Sequence, residues 1–98
     1  MKLFLDDIRN PPENQNYKVA RSTQEAIELV KNEWPKFMSL DHDLGDEDTT
    51  MKFLHRIVNE VWDPTKPVPD YAVHSANPVG KLNIISFMES WKRSLAEL

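Results

Sequence analysis

Three short apolar runs in this chain stop abruptly at acid or histidine, and that repetition constrains the fold more than any other feature. Lys2-Leu3-Phe4-Leu5 runs into Asp6-Asp7, Phe37-Met38-Ser39-Leu40 into Asp41-His42-Asp43, and Tyr71-Ala72-Val73 into His74-Ser75. A buried strand reads this way when its carboxyl end opens onto a polar site. Tyr17 to Ala20 adds a short strand, at an edge, after a connection from Ile8 to Asn16 that carries Pro11 and Pro12.

Helical segments follow three of the strands. Ser22-Thr23-Gln24-Glu25 fits a capping box, and Ala26, Ile27, Leu29 and Val30 continue an apolar face to about Glu33. Pro35 forbids continuation. Gly45 to Asp48 reads as a loop, with Asp48 or Thr49 capping a helix to about Val61 that turns Leu54, Ile57, Val58 and Val61 inward. The stretch Asp63 to Pro69 is a connection. Asn77-Pro78 reads as an N-cap with proline at the first helical position, opening a helix that buries Ile84, Ile85, Met88, Trp91 and Leu95. Trp34, Trp62 and Trp91 read as core, not as stacking platforms.

The order β-β-α-β-α-β-α predicts one α/β domain spanning residues 1–98: a mostly parallel four-stranded sheet in a three-layer sandwich. Ligands of such sheets bind beyond the carboxyl ends of the strands, where the acids and histidines fall. The absence of cysteine excludes a disulfide framework and thiolate zinc sites. No apolar run reaches the roughly 20 residues of a membrane span and no leader pattern opens the chain, so a cytoplasmic location is expected. A formal net charge of −4 weighs against extended nucleic-acid binding, which needs a basic face. One nucleotide or one strand end remains open as a ligand.

Acids gathered at neighbouring strand ends repel one another unless a cation sits among them. Asp6, Asp7 and Asp41 are therefore candidate metal ligands, with Asp43 beside them. Oxygen donors without thiols favour Mg²⁺ or Mn²⁺, and the nearby histidines keep zinc open. The plainer alternative is that Asp6-Asp7 only starts a turn. His74 and His42 are candidates for proton transfer, although the His42 side chain should point away from those of Asp41 and Asp43 if the strand continues. His55 reads as structural. Arg9 and Arg21 could clamp phosphate oxygens or be solvated surface groups. Ser75 is a phosphate donor or a turn hydroxyl, and Asn77 opens a helix whose amides would face an anion.

The strings LFLDDIRNPP, VARSTQEAI, SLDHDLGDEDTT and VHSANPVGKLNI together resemble the family of cyclic-phosphate-processing receiver-like domains, from Lys2 to about Met88. The broader likeness is to response-regulator receivers, of flavodoxin-like fold. The resemblance implies Mg²⁺ at Asp6 and Asp7, Asp41 in the phospho-acceptor position, Asp43 where a backbone carbonyl meets the metal, and Ser75 near the receiver hydroxyl. It departs in lacking a helix between the first two strands and a fifth strand with its lysine; Lys81 lies in the wrong element. The implied function is processing of a cyclic phosphate on a nucleotide or RNA end. Asp41 and Asp43, with His42 and His74, are its expected catalytic residues. The alternatives are a non-catalytic module that binds phosphate and metal, and a small protein that captures a protein partner.

Overall fold

In a computed structural model describing residues 1–96, the chain forms β1 (Lys2–Leu5), β2 (Tyr17–Ala20), α1 (Thr23–Asn32), β3 (Phe37–Leu40), α2 (Thr50–Arg56), β4 (Asp70–Val73) and α3 (Pro78–Ala96). The strands lie in the order β2-β1-β3-β4 and every pair is parallel. Leu5 pairs with Ala20 and Leu40, and Leu40 with Val73, so the four strands end in line. The ladder runs one residue further, through Asp6 N to Ala20 O (3.2 Å), Asp41 N to Leu5 O (2.9 Å) and His74 N to Leu40 O (3.0 Å). Asp6, Asp41 and His74 therefore leave the sheet side by side. This is the receiver-like α/β fold expected from the sequence, with the sheet wholly rather than mostly parallel.

The layering departs from the three-layer sandwich expected from the sequence. Leu3, Leu5, Met38 and Leu40, on one face, share a single core with Ile27 and Val30 of α1, Phe53 and Leu54 of α2, and Ile84, Met88 and Trp91 of α3. All three helices thus pack on that face. The crossovers from β2 to β3 and from β3 to β4 step the same way across the sheet, and right-handed crossovers stepping the same way share a face. The step from β1 to β2 runs in the opposite direction, and its connection contains no helix. On the second face Phe4 meets the Tyr17 ring edge-on at 5.7 Å, and the Lys2 ammonium sits 4.3 Å over Tyr17.

Local signals account for most boundaries. The Ser22 hydroxyl accepts from the Glu25 amide (3.2 Å), and Asn77 Oδ1 accepts from the Gly80 amide (3.0 Å), so both expected N-caps form. Between β3 and α2, Gly45, Asp46 and Glu47 all take positive φ (80°, 46° and 65°). An Asp48 N to Gly45 O bond of 2.8 Å closes that turn. Thr49 caps α2 without a side-chain bond; Asp48 reaches α1 instead, accepting from the Thr23 amide (2.8 Å) and hydroxyl (2.7 Å). The last turn of this helix widens into a π-helical segment, Ile57–Val61, closed by Trp62 N to Ile57 O at 2.8 Å. That widening shifts the periodicity: Phe53, Leu54 and Ile57 are buried, while Val58 and Val61 are half-buried. Ile85 and Leu95 of α3 are likewise half-buried. Among the described residues no helix is long and apolar enough to cross a membrane.

Candidate functional site

Asp6, Asp7 and Asp41 each offer one carboxylate oxygen within 4.8 Å of the others. The aligned ends of β1 and β3 produce this convergence, since both strands deliver acid at the same level of the sheet. Asp6 is fully buried and Asp41 is 8% exposed. Asp6 Oδ1 is saturated by the Ile8 and Arg9 amides (2.9 and 2.8 Å). Burial pushes the Asp6 carboxyl up, but those amides and His74 more than offset it and hold it below its ordinary 3.8. Asp41 Oδ1 accepts from the His42 amide (2.9 Å). Asp41 Oδ2 and the Asp7 carboxylate have no hydrogen-bond partner among the described residues, which leaves acceptor oxygens facing one another. Oxygen-only donors, close and short of partners, fit a hard divalent cation.

His74 is held on both sides. Nε2 lies 3.0 Å from Asp6 Oδ2 and Nδ1 lies 2.8 Å from Ser39 Oγ. Its ring stacks on Phe4, centroids 4.7 Å apart and planes within 7°. The residue marked in the sequence for proton transfer thus has both nitrogens committed to protein groups, one of them on a candidate ligand.

His42 is arranged differently. The strand stops at Leu40, so the strict alternation expected to separate His42 from Asp43 does not apply: His42 Nδ1 lies 2.9 Å from Asp43 Oδ1. Asn77 Nδ2 donates to Asp43 Oδ2 (3.3 Å), and Ser75 Oγ accepts from the Asn77 amide (3.0 Å). These contacts tie the β3 loop to the start of α3. The His42 bond, then that of Asn77, holds the Asp43 carboxyl below its ordinary 3.8. His42 Nε2 has no hydrogen-bond partner among the described residues. The His42 ring lies against Gly80, where an added Cβ would fall 2.3 Å from His42 Cγ.

The two arginines part company. Arg9 is half exposed, donates to His74 O (2.7 Å) and places Nε 3.9 Å from Asp6 Oδ2, making it a cation at the edge of the acid cluster. Arg21 instead pins the loop after β1, donating to Asp6 O (3.2 Å), Arg9 O and Asn10 Oδ1 (2.6 Å). Its guanidinium is occupied by that loop, not held open for a phosphate. The helix start is also less open to an anion than expected: the Asn77 and Gly80 amides bond Ser75 and Asn77, and Pro78 has none.

Several contributors escaped the sequence reading. Ser39 looks like an ordinary residue in an apolar run, although period-two alternation would have put it on the same face as His74 across the β3–β4 pair. Thr50, fully buried, donates to the Asp41 carbonyl and sits too deep in a helix start to announce that contact. Gly80 reads as a helix-weakening glycine until the His42 ring is placed beside it.

An all-parallel α/β sheet with acids at the ends of β1 and β3 and a hydroxyl residue after β4 defines a receiver-like domain. The chain matches the family described as Cyclic-phosphate processing Receiver domain over residues 1–90, and it belongs to that family. No curated protein and no solved structure matches it.

Proposed function

We propose that this domain is a metal-dependent hydrolase of a phosphodiester, in the first instance a cyclic phosphate on a nucleotide or RNA end. The observation that carries the reading is the convergence of Asp6, Asp7 and Asp41 at the strand ends; His42, next in the chain to Asp41, adds an Nε2 with no hydrogen-bond partner among the described residues. Membership of a family tied to cyclic-phosphate processing supports the substrate class. In this reading the three acids hold Mg²⁺ or Mn²⁺, which supplies charge neutralisation for the phosphoryl oxygens. Arg9, the nearest arginine with an exposed face, adds a donor to the same oxygens.

Proton transfer falls to His42 rather than His74. Asp43 accepts at Nδ1, which directs the basic lone pair to Nε2, and Asn77 keeps Asp43 in place. His42 Nε2 takes a proton from the attacking water and returns it to the ribose oxygen that leaves as the ring opens; the product is a phosphomonoester. Ser75 keeps its hydroxyl hydrogen free to donate, because its oxygen only accepts from Asn77.

The test is turnover of a 2′,3′-cyclic nucleotide by purified protein with Mg²⁺, followed by phosphorus NMR. Expected results are ring opening in the native protein, none in Asp41→Ala, and a rate lowered roughly 100-fold or more in His42→Ala. Protein that folds and binds Mn²⁺ yet turns over no member of a panel of cyclic phosphates contradicts the reading. The second reading, a non-catalytic module that accepts phosphate on Asp41, draws on the unpartnered Asp41 Oδ2. It expects beryllofluoride to shift the spectrum of the protein only when Mg²⁺ is present.

A further inference from the structure

His74 reaches the acid cluster through one nitrogen, and what stands behind its other nitrogen decides what the first can do. Asp6 is a carboxylate whose Oδ1 already accepts two amides, so it can only accept from His74. The 3.0 Å contact at Asp6 Oδ2 therefore requires a hydrogen on Nε2. A neutral imidazole carries one such hydrogen, which leaves Nδ1 as an acceptor. Ser39 Oγ, 2.8 Å away on a side chain nine-tenths buried in β3, is the donor that meets it.

We propose that Ser39 is a positioning residue for the metal-holding carboxylate: its hydroxyl donates to Nδ1 and holds the His74 ring so that the Nε2 hydrogen meets Asp6 Oδ2 and aims Asp6 at the cation. The inference rests on the reading that Asp6 holds a metal. Phe4 lies flat under the imidazole, and a ring flip would exchange both bonded nitrogens for carbons. Without the Ser39 hydroxyl, Nδ1 loses its protein partner and the ring is held through one nitrogen only, which loosens Asp6. Partners behind a ligand commonly carry 10–100-fold in metal affinity, on the order of what Ser39 should contribute here.

Ser39→Ala removes one oxygen and leaves the strand intact, and Ser39→Thr keeps the hydroxyl on a β-favouring residue. Two readouts are taken on native protein and both variants. Nitrogen NMR of the His74 ring in metal-free protein at about pH 8, where an ordinary imidazole is neutral, reports which nitrogen carries hydrogen. Calorimetry reports Mn²⁺ affinity. Native protein should show hydrogen on Nε2 and a bare Nδ1. Ser39→Ala should keep hydrogen on Nε2, move the Nδ1 resonance as its donor is lost, and weaken Mn²⁺ roughly 10-fold or more, while Ser39→Thr preserves the native values. Hydrogen on Nδ1 in native protein overturns the proposal. So does a Ser39→Ala protein with an unchanged Nδ1 resonance or native Mn²⁺ affinity, or losses in Ser39→Thr equal to those in Ser39→Ala. A native protein that takes up no Mn²⁺ contradicts the metal reading instead, and the metal-free spectrum still judges Ser39.

Discussion

At Gly80 the backbone of α3 passes so close to the His42 imidazole that a Cβ there would lie 2.3 Å from Cγ and 2.7 Å from Nδ1. In an open helix, replacing glycine by alanine gains about 1 kcal/mol. Here the methyl meets the root of a ring that Asp43 also holds, and overpacking of this kind costs about 1–3 kcal/mol. Gly80→Ala should therefore be no more stable than the native protein in urea unfolding, and less stable if the ring cannot yield. It should also slow turnover more than it weakens Mn²⁺ binding, because Asp6, Asp7 and Asp41 are untouched. A clear gain in stability would show that His42 is not packed as described.

At the scale of elements, two connections that are silent in the sequence hold the helices in place. Asp48 bridges the β3–α2 loop to the first turn of α1, where it takes both the amide and the hydroxyl of buried Thr23. Asp48→Ala should lower unfolding free energy by about 1–2 kcal/mol, as loss of a cap does. An unchanged denaturation midpoint would deny Asp48 that role. At the other end of α1, Glu33 accepts from the N-terminal amine (3.1 Å) and Lys18 (3.3 Å). The amine, then Lys18, holds its carboxyl below the ordinary 4.5. A depressed carboxyl stabilises the fold above its unfolded pKa, and the contribution fades as pH falls through the folded value. Glu33→Gln should thus weaken the protein at pH 7 by an amount that shrinks as pH falls below the ordinary carboxyl value; a weakening that stays constant with pH would assign the effect to packing.

Legibility follows the reach of each signal. The N-cap at Ser22, the Asn77-Pro78 start and the acid-ended strands are local patterns that the sequence carries, while the Glu25 carboxylate meets the Ser22 hydroxyl rather than its amide. The π-helical widening after Arg56 has no local mark in the sequence, although Val58 and Val61 still pack against the core as the periodicity predicts. Arg21 could not be assigned to the β1 loop from sequence, because its acceptors are carbonyls and an asparagine set by that loop's path. The convergence of Asp6, Asp7 and Asp41 was inferred from topology, while the Ser39–His74–Asp6 chain needed register across three strands. The one-sided layering needed strand order, which periodicity does not report.

For the whole molecule, Asp7 and Asp41 set carboxylate oxygens without hydrogen-bond partners among the described residues beside the already satisfied Asp6, and their mutual repulsion weighs on the metal-free fold. A 98-residue domain has stability of only about 5–15 kcal/mol to offset such a load. A cation that binds only the folded chain adds about 2.7 kcal/mol at 100-fold over its dissociation constant. Metal-free Asp41→Asn protein should accordingly melt higher than the native chain and gain nothing from added Mn²⁺. The most direct measurement is a calorimetric titration of native and Asp41→Asn protein with Mn²⁺. The account expects one ion per native chain and binding weakened roughly 100-fold or lost in the variant. A native protein that takes up no Mn²⁺ or Mg²⁺, or a variant that binds as tightly as the native chain, would contradict it.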